Sequence, residues 1–192
     1  MKAAFVALAL SIGGAQASPF NTYSVHLEPT TIDGGCGLPT METFGNRAYR
    51  FRGAPMWPFD ETLVLQNGRY VERNSDGSPE WEARLSGPTP IALGTRAAVI
   101  LEITAAHQSG PGAIGYVLVV QCAPKAMKVL FEASGPVSDL AYSRDGLRIA
   151  HYEWVVSACR ACPSREVTEQ YRWQSKQGRF ALANRSERTI TP

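Results

Sequence analysis

Ala97-Ala98-Val99-Ile100-Leu101-Glu102-Ile103 and Tyr116-Val117-Leu118-Val119-Val120 are nearly continuous apolar runs, bounded by glycine, proline and polar residues. Runs of this length and density read as strands buried on both faces, at the centre of a sandwich or barrel. Outward from them the two-residue alternation of a half-buried strand recurs and helical periodicity is scarce. Met127 to Phe131, Val137 to Tyr142, Leu147 to Val156 and Glu166 to Trp173 follow in series, the last with Val167, Tyr171 and Trp173 on one face. Asp145-Gly146 and Lys176-Gln177-Gly178 supply turns between them. Ala105 to Gly115, which contains His107, reads as a loop of small residues joining the two apolar runs. Asn184 to Pro192 reads as a polar tail.

The half before these strands is looser. Tyr23 to Leu27 predicts a first strand, whereas Thr31 to Gly37 is glycine-rich and predicts a turn pinned by Cys36. Leu63 to Val71 predicts a hairpin, since Asn67-Gly68 accepts the positive φ angles of a tight turn. Gly87-Pro88-Thr89-Pro90 predicts a linker or a long crossing. The 17 glycines and 13 prolines are scattered between short apolar runs, as in a chain of many strands and turns. The expected fold is all-β, an antiparallel meander forming a sandwich or barrel-like domain. One β-rich domain is expected over 18–192, with a looser half at 18–87 and the meander at 96–183.

The N-terminus predicts export. Met1-Lys2 is followed by the apolar stretch Ala3 to Ile12 and by Ala15-Gln16-Ala17, the pattern of a signal peptide over 1–17 with Ser18 as the new terminus. The apolar stretch falls short of the roughly 20 residues that span a bilayer. No cysteine follows the expected cleavage site, so no membrane anchor is expected. A periplasmic or secreted bacterial protein is the expectation, in a compartment where cysteines oxidise. The formal net charge of +2 carries no electrostatic footprint for nucleic acid.

Cys36, Cys122, Cys159 and Cys162 allow three pairings. Local closure favours Cys159 with Cys162 and leaves Cys36 for Cys122, a bridge closing roughly 86 residues that stabilises by about 4 to 5 kcal/mol in a chain-entropy account. Cys159-Arg160-Ala161-Cys162 also has the spacing of a thiol–disulfide oxidoreductase. Such a site places its first sulfur at a helix N-terminus, but the residues after Cys162 alternate as a strand. Zinc would need further ligands, for which Cys36, Cys122 and His151 have no signature spacing. No metal and no cofactor are expected.

The run Ala158-Cys159-Arg160-Ala161-Cys162-Pro163-Ser164, followed by Tyr171-Arg172-Trp173 and Gly178-Arg179-Phe180, resembles the tails of LppP/LprE-type bacterial lipoproteins. Those tails carry a Cys-Cys-Pro-Ser run before Tyr-Arg-Trp. The resemblance covers about 25 of the 192 residues. This chain departs from it in its Cys-x-x-Cys spacing and in lacking a lipid-attachment cysteine. It implies an exported β-rich domain and no activity.

Among chemically capable residues, His26, His107 and His151 are the histidines available as base or ligand. His151 shares a face with Leu147, Ile149, Glu153 and Val155, where a polar pair at a sheet edge accounts for it. Asp60, Glu61, Glu72, Asp76, Glu80 and Glu82 gather in the first half. A glycosidase needs two acids placed across a sugar ring; Glu80-Trp81-Glu82 puts both on one strand face with the tryptophan opposite, and a solvated surface accounts for them as well. Pro55-Met56-Trp57-Pro58-Phe59 cannot be a central strand. Met56, Trp57 and Phe59 therefore lie on a loop, where capping the core is the simpler reading and a contact surface the functional one. Arg47, Arg50 and Arg52 could rim that surface, and Tyr49 and Phe51 extend it.

The leading functional expectation is a non-enzymatic exported β domain that binds another protein of the cell envelope, such as a periplasmic inhibitor or immunity-type protein. The alternatives are a thiol–disulfide oxidoreductase using Cys159 and Cys162, and a small hydrolase or carbohydrate binder near Trp57 and Trp81. Strand rather than helix after Cys162 separates the first from the second. A concave aromatic cleft with two facing carboxylates would favour the third.

Overall fold

A computed structural model describes residues 23–33, 40–50, 62–108, 113–123, 125–153 and 163–190. In chain order they form β1 (Ser24–His26), β2 (Thr30–Asp33), α1 (Met41–Gly45), β3 (Ala48–Arg50), β4 (Thr62–Val64), β5 (Arg69–Arg73) and β6 (Pro79–Leu85). Then come β7 (Thr89–Leu93), β8 (Arg96–His107), β9 (Ala113–Cys122), β10 (Ala126–Gly135), β11 (Val137–Ser143), β12 (Gly146–Glu153), β13 (Arg165–Gln174) and β14 (Arg179–Thr189). The described chain is mostly strand and every pairing is antiparallel. Among the described residues, no helix is long and apolar enough to cross a membrane.

The two apolar runs lie in β8 and β9, which are central in an eight-stranded sheet. Their side chains alternate between two cores. Val99, Leu101 and Ile103 of β8 and Tyr116, Leu118 and Val120 of β9 face one cluster. Ala98, Ile100, Val117 and Val119 face the other. The first face is closed by Phe44 of α1, Tyr49 of β3, Leu63 of β4 and Leu65, all essentially fully buried. The second is closed by Leu147 and Ile149 of β12, Tyr171 of β13 and Phe180 of β14.

The predicted meander is divided between two sheets. β8, β9 and β10 run side by side in the large sheet, and β11 to β14 form a four-stranded sheet in sequence order. The chain crosses at Gly135-Pro136, where Gly135 has φ 143°. A bulge between Val129 and Phe131 prepares that crossing. Before it Val129 faces the first core, and after it Phe131 and Ala133 face the second. One extra residue in a strand reverses the parity of everything beyond it.

Several local expectations are corrected. Asn67 and Gly68 do form a tight turn, with φ 51° and 78°. The strands around it make one bridge only, Gln66 with Arg69. β4 pairs with β3, and β5 with β6 in the large sheet. The turn is instead docked against the end of α1: the Gly68 N–H donates to Gly45 O at 2.8 Å, the Asn67 N–H donates to Asn46 Oδ1 at 2.8 Å, and the Leu85 N–H donates to Gly68 O at 2.8 Å. Those tertiary hydrogen bonds outweigh the local hairpin.

Thr31 to Asp33, expected as part of a turn, belong to β2 and pair with β10. Thr89 and Pro90, expected in a linker, begin β7, which among the described residues pairs on one side only, along β8. Proline is tolerated there because an edge strand can spare an N–H. β6 and β7 share one long side of β8, β6 along Ile103–His107 and β7 along Arg96–Ile100. His107 closes β8 opposite Trp81 rather than lying in a loop. The polar tail is strand as far as Thr189, in register with β13 to Arg165. Its pairing is held by charge where apolar periodicity is silent: Arg188 meets Glu166 at 2.7 Å and Glu187 meets Arg165 at 2.9 Å.

Candidate functional site

Of the aromatic-basic stretch, Arg50 is described: it is exposed at the end of β3 and paired with Thr62. Arg52, Met56, Trp57 and Phe59 lie outside the described residues. Tyr49 is core rather than patch, fully buried with its hydroxyl donating to Phe44 O at 2.6 Å. β3 and β4, which flank residues 51–61 in sequence, pair with each other, and their inward residues, Tyr49 and Leu63, are both buried.

The cysteines are only partly visible. Cys122 ends β9 and is not a free thiol. Cys36, Cys159 and Cys162 lie outside the described residues. β13 begins immediately after Ser164, whose N–H donates to Glu153 O at 2.9 Å.

The acids of the first half do separate work. Asp76 accepts from the Ser78 N–H at 2.8 Å and the Ser78 hydroxyl at 2.6 Å, which hold its carboxyl below the usual range and fix the β5–β6 turn. Glu82 receives Arg84 and, at 2.7 Å, Arg69. Their guanidiniums hold its carboxyl below the usual range, the opposite of what a general acid needs. Glu80 is 3.9 Å from His107, which meets Trp81 edge-on with centroids 4.5 Å apart. Asp60 and Glu61 lie outside the described residues. His26, on β1, is in register with the buried Glu132, and its Nε2 is buried without a hydrogen-bond partner.

The tightest gathering of ionisable groups was missed in the sequence. His151 sits on β12, a central strand of the four-stranded sheet and not an edge, and is 1% exposed. Tyr23, just before β1, stacks on its imidazole with centroids 3.6 Å apart and planes 12° from parallel. Glu169 of β13, 5% exposed, is 4.0 Å from His151 Nε2. The Tyr171 hydroxyl donates to Glu169 at 2.5 Å, and Arg185 of β14 reaches the other carboxylate oxygen at 3.5 Å. Arg185 also pairs with Glu153 at 3.1 Å and Glu187 at 3.2 Å. The acid that matters to His151 is therefore the cross-strand Glu169, not its neighbour Glu153. A signal existed: Glu169 falls between Val167 and Tyr171 on the inward face, where an acid must be paired.

Burial pushes the Tyr23 and Tyr171 phenols well above their usual range, the Glu169 carboxylate adding to both. Burial lowers His151; the Glu169 and Glu153 carboxylates oppose that without cancelling it, and Arg185 adds to it. Among the described residues, both imidazole nitrogens are buried without a hydrogen-bond partner. The group is a polar plug between the sheets, with His151 and Glu169 buried and Arg185 at its exposed end.

It predicts an acid-labile fold. The unfolded chain takes up a proton at His151 near pH 6.5 while the folded chain resists it. The stability due to neutral His151 is complete above about pH 6.5 and is lost as pH falls toward the folded pKa. Urea midpoints at about pH 7.5 and 5.5 should show a loss bounded near 1.4 kcal/mol, absent in His151→Gln. An equal loss in the variant would assign the acid sensitivity elsewhere.

Among the described residues, no group of three or more His, Cys, Asp or Glu could hold a metal ion. Comparison with protein families, curated proteins and solved structures gives no match.

Proposed function

We propose that the protein is an exported, non-enzymatic, disulfide-stabilised β domain that binds another protein of the cell envelope, as a periplasmic inhibitor or immunity-type protein would. The observation that carries this reading is the paired, buried frame on either side of the aromatic stretch in sequence. Arg50 and Thr62, which flank it in sequence, are paired, next to the buried pair Tyr49 and Leu63. Met56, Trp57 and Phe59, close in sequence to Arg50 and Arg52, have the composition of a binding hot spot. The signal-like N-terminus supports the compartment.

The strand register supports the bridges. β2 and β9 flank β10 on opposite sides, with Ile32 and Cys122 both paired to Met127. Two strand spacings are about 9.6 Å. Three residues beyond Asp33 reach about 10 Å, within range for Cys36 to meet Cys122. A strand rather than a helix after Cys162 favours a structural Cys159–Cys162 bridge over a redox pair, since a reactive thiolate draws on a helix N-terminus.

Trp57→Ala tests the reading. With the mature protein as bait in envelope extract, a partner held by the wild type should bind about 2 kcal/mol more weakly to the variant, roughly thirtyfold, with the urea midpoint nearly unchanged. A large loss of stability without a separate binding defect would mean that Trp57 caps the core.

A further inference from the structure

The β7–β8, β11–β12 and β13–β14 turns converge on an open cleft of about 530 Å³ between the two sheets. Its apolar wall is Leu93, Tyr142 and Trp173. The wall is fixed: the Tyr142 hydroxyl donates to Ala92 O at 2.7 Å, and Trp173 meets Phe180 edge-on at 5.3 Å. Gly94 and Ser175 bring the first and last turns close together, a Cβ on Gly94 falling 3.7 Å from Ser175 Oγ.

The charges in this cleft differ from those elsewhere on the same sheet. Arg148, Arg165, Arg185 and Arg188 all pair with carboxylates. Arg144 and Arg172, which line the cleft, are exposed and make no ion pair among the described residues. Arg96 extends the basic rim, its Nη1 lying 3.7 Å from where a Cβ on Gly178 would stand. One carboxylate, Asp145, shares the lining. Its backbone is tied down by a bond from its N–H to Ser143 Oγ at 3.1 Å and one from Gln170 to its carbonyl at 3.1 Å. Guanidinium forks beside an aromatic wall, on a fixed frame, match a carboxylate next to an apolar group. β7 and β11, which border the cleft, each pair on one side only among the described residues, leaving main-chain groups for an extended segment.

We propose that this cleft binds an acidic peptide segment of a partner protein, Arg144 and Arg172 taking its carboxylates while Trp173 and Tyr142 pack an adjoining apolar side chain. The proposal rests on the protein-binding reading above and uses a surface separate from the 51–61 stretch.

The probe is a short capped peptide carrying two glutamates beside a phenylalanine, titrated into the mature protein at low salt and followed by tryptophan fluorescence. Saturable binding is expected, with the signal lost in Trp173→Phe. Arg144→Gln and Arg172→Gln should each weaken binding about tenfold, as loss of a charge-assisted bond implies. Raising the salt should weaken it, and the glutamine version of the peptide should not bind. No saturation, equal binding of the glutamine peptide, or indifference to both substitutions would overturn the proposal. Equally tight binding of acetylglutamate or inorganic phosphate would also overturn it, making the cleft a small-anion site. Trp57→Ala should leave this titration unchanged, so failure here and failure of the loop reading are distinguishable.

Discussion

Phe131→Ala is expected to destabilise the folded protein by about 3 to 5 kcal/mol, the cost of emptying a large buried aromatic site. Phe131 is fully buried and meets Tyr171 edge-on at 4.9 Å and Phe180 at 5.6 Å. It follows the bulge in β10 that turns the strand from one core to the other, so it contributes from the large sheet to the contact with β13 and β14. The cavity would be walled by residues of two sheets, which cannot both collapse into it without losing register. A urea titration with unchanged slope and a lower midpoint checks this. A loss under about 1 kcal/mol would mean that the two sheets repack freely around position 131.

Gly146→Ala should cost about 3 kcal/mol or more. Gly146 has φ 114°, and a Cβ there would collide with the carbonyl oxygen of Tyr171 on the neighbouring strand. Backbone strain alone contributes about 1 to 3 kcal/mol, and the collision adds to it because a paired strand cannot step aside. Gly77→Ala is the control. Gly77 also has a positive φ, 82°, but nothing lies within 4 Å of an added Cβ. It should lose only about 1 kcal/mol or so, the conformational part. Equal losses at the two positions would show that φ, not the approach of β13, decides the cost at Gly146.

These two sites explain why the ionisable cluster is held so closely. Gly146 fixes the start of β12 against β13, and the same pairing brings His151 opposite Val167, one residue pair from Thr168 and two from Glu169. Tyr23 arrives from the far side, carried by the pairing of β1 with β10. A buried acid among tyrosines is tolerable because Tyr171 and Arg185 satisfy it. The cluster therefore registers the correct docking of the N-terminal segment on the second sheet.

How far the fold is legible follows from the range of each signal. Continuous apolar runs mark β8 and β9, and alternation along one strand marks the two faces of β12 and β13; the turns at Asn67-Gly68 and Lys176 to Gly178 can be read as directly. Inward Glu169 is equally legible as an anomaly. Apolar alternation cannot reveal β14 beyond Leu182, because residues 183–189 are exposed and are held by ion pairs to β13 and β12.

What the amino-acid order determines alone is therefore local: which segments extend, which face of each is apolar, and where the backbone must turn. Which strand lies beside which was decided by tertiary structure, because pairing partners far apart in sequence compete for the same edges. β4 leaves β5 for β3 because the Asn67-Gly68 turn is bound to α1. β6 and β7 divide one side of β8 because that strand is long enough for both. A single bulge at Val129/Phe131 sends the meander into a second sheet. The meeting of Tyr23, His151, Glu169 and Arg185 follows from that division, since no two of the four are sequence neighbours: strand pairing within the second sheet gathers His151, Glu169 and Arg185, and the packing of the large sheet against it adds Tyr23.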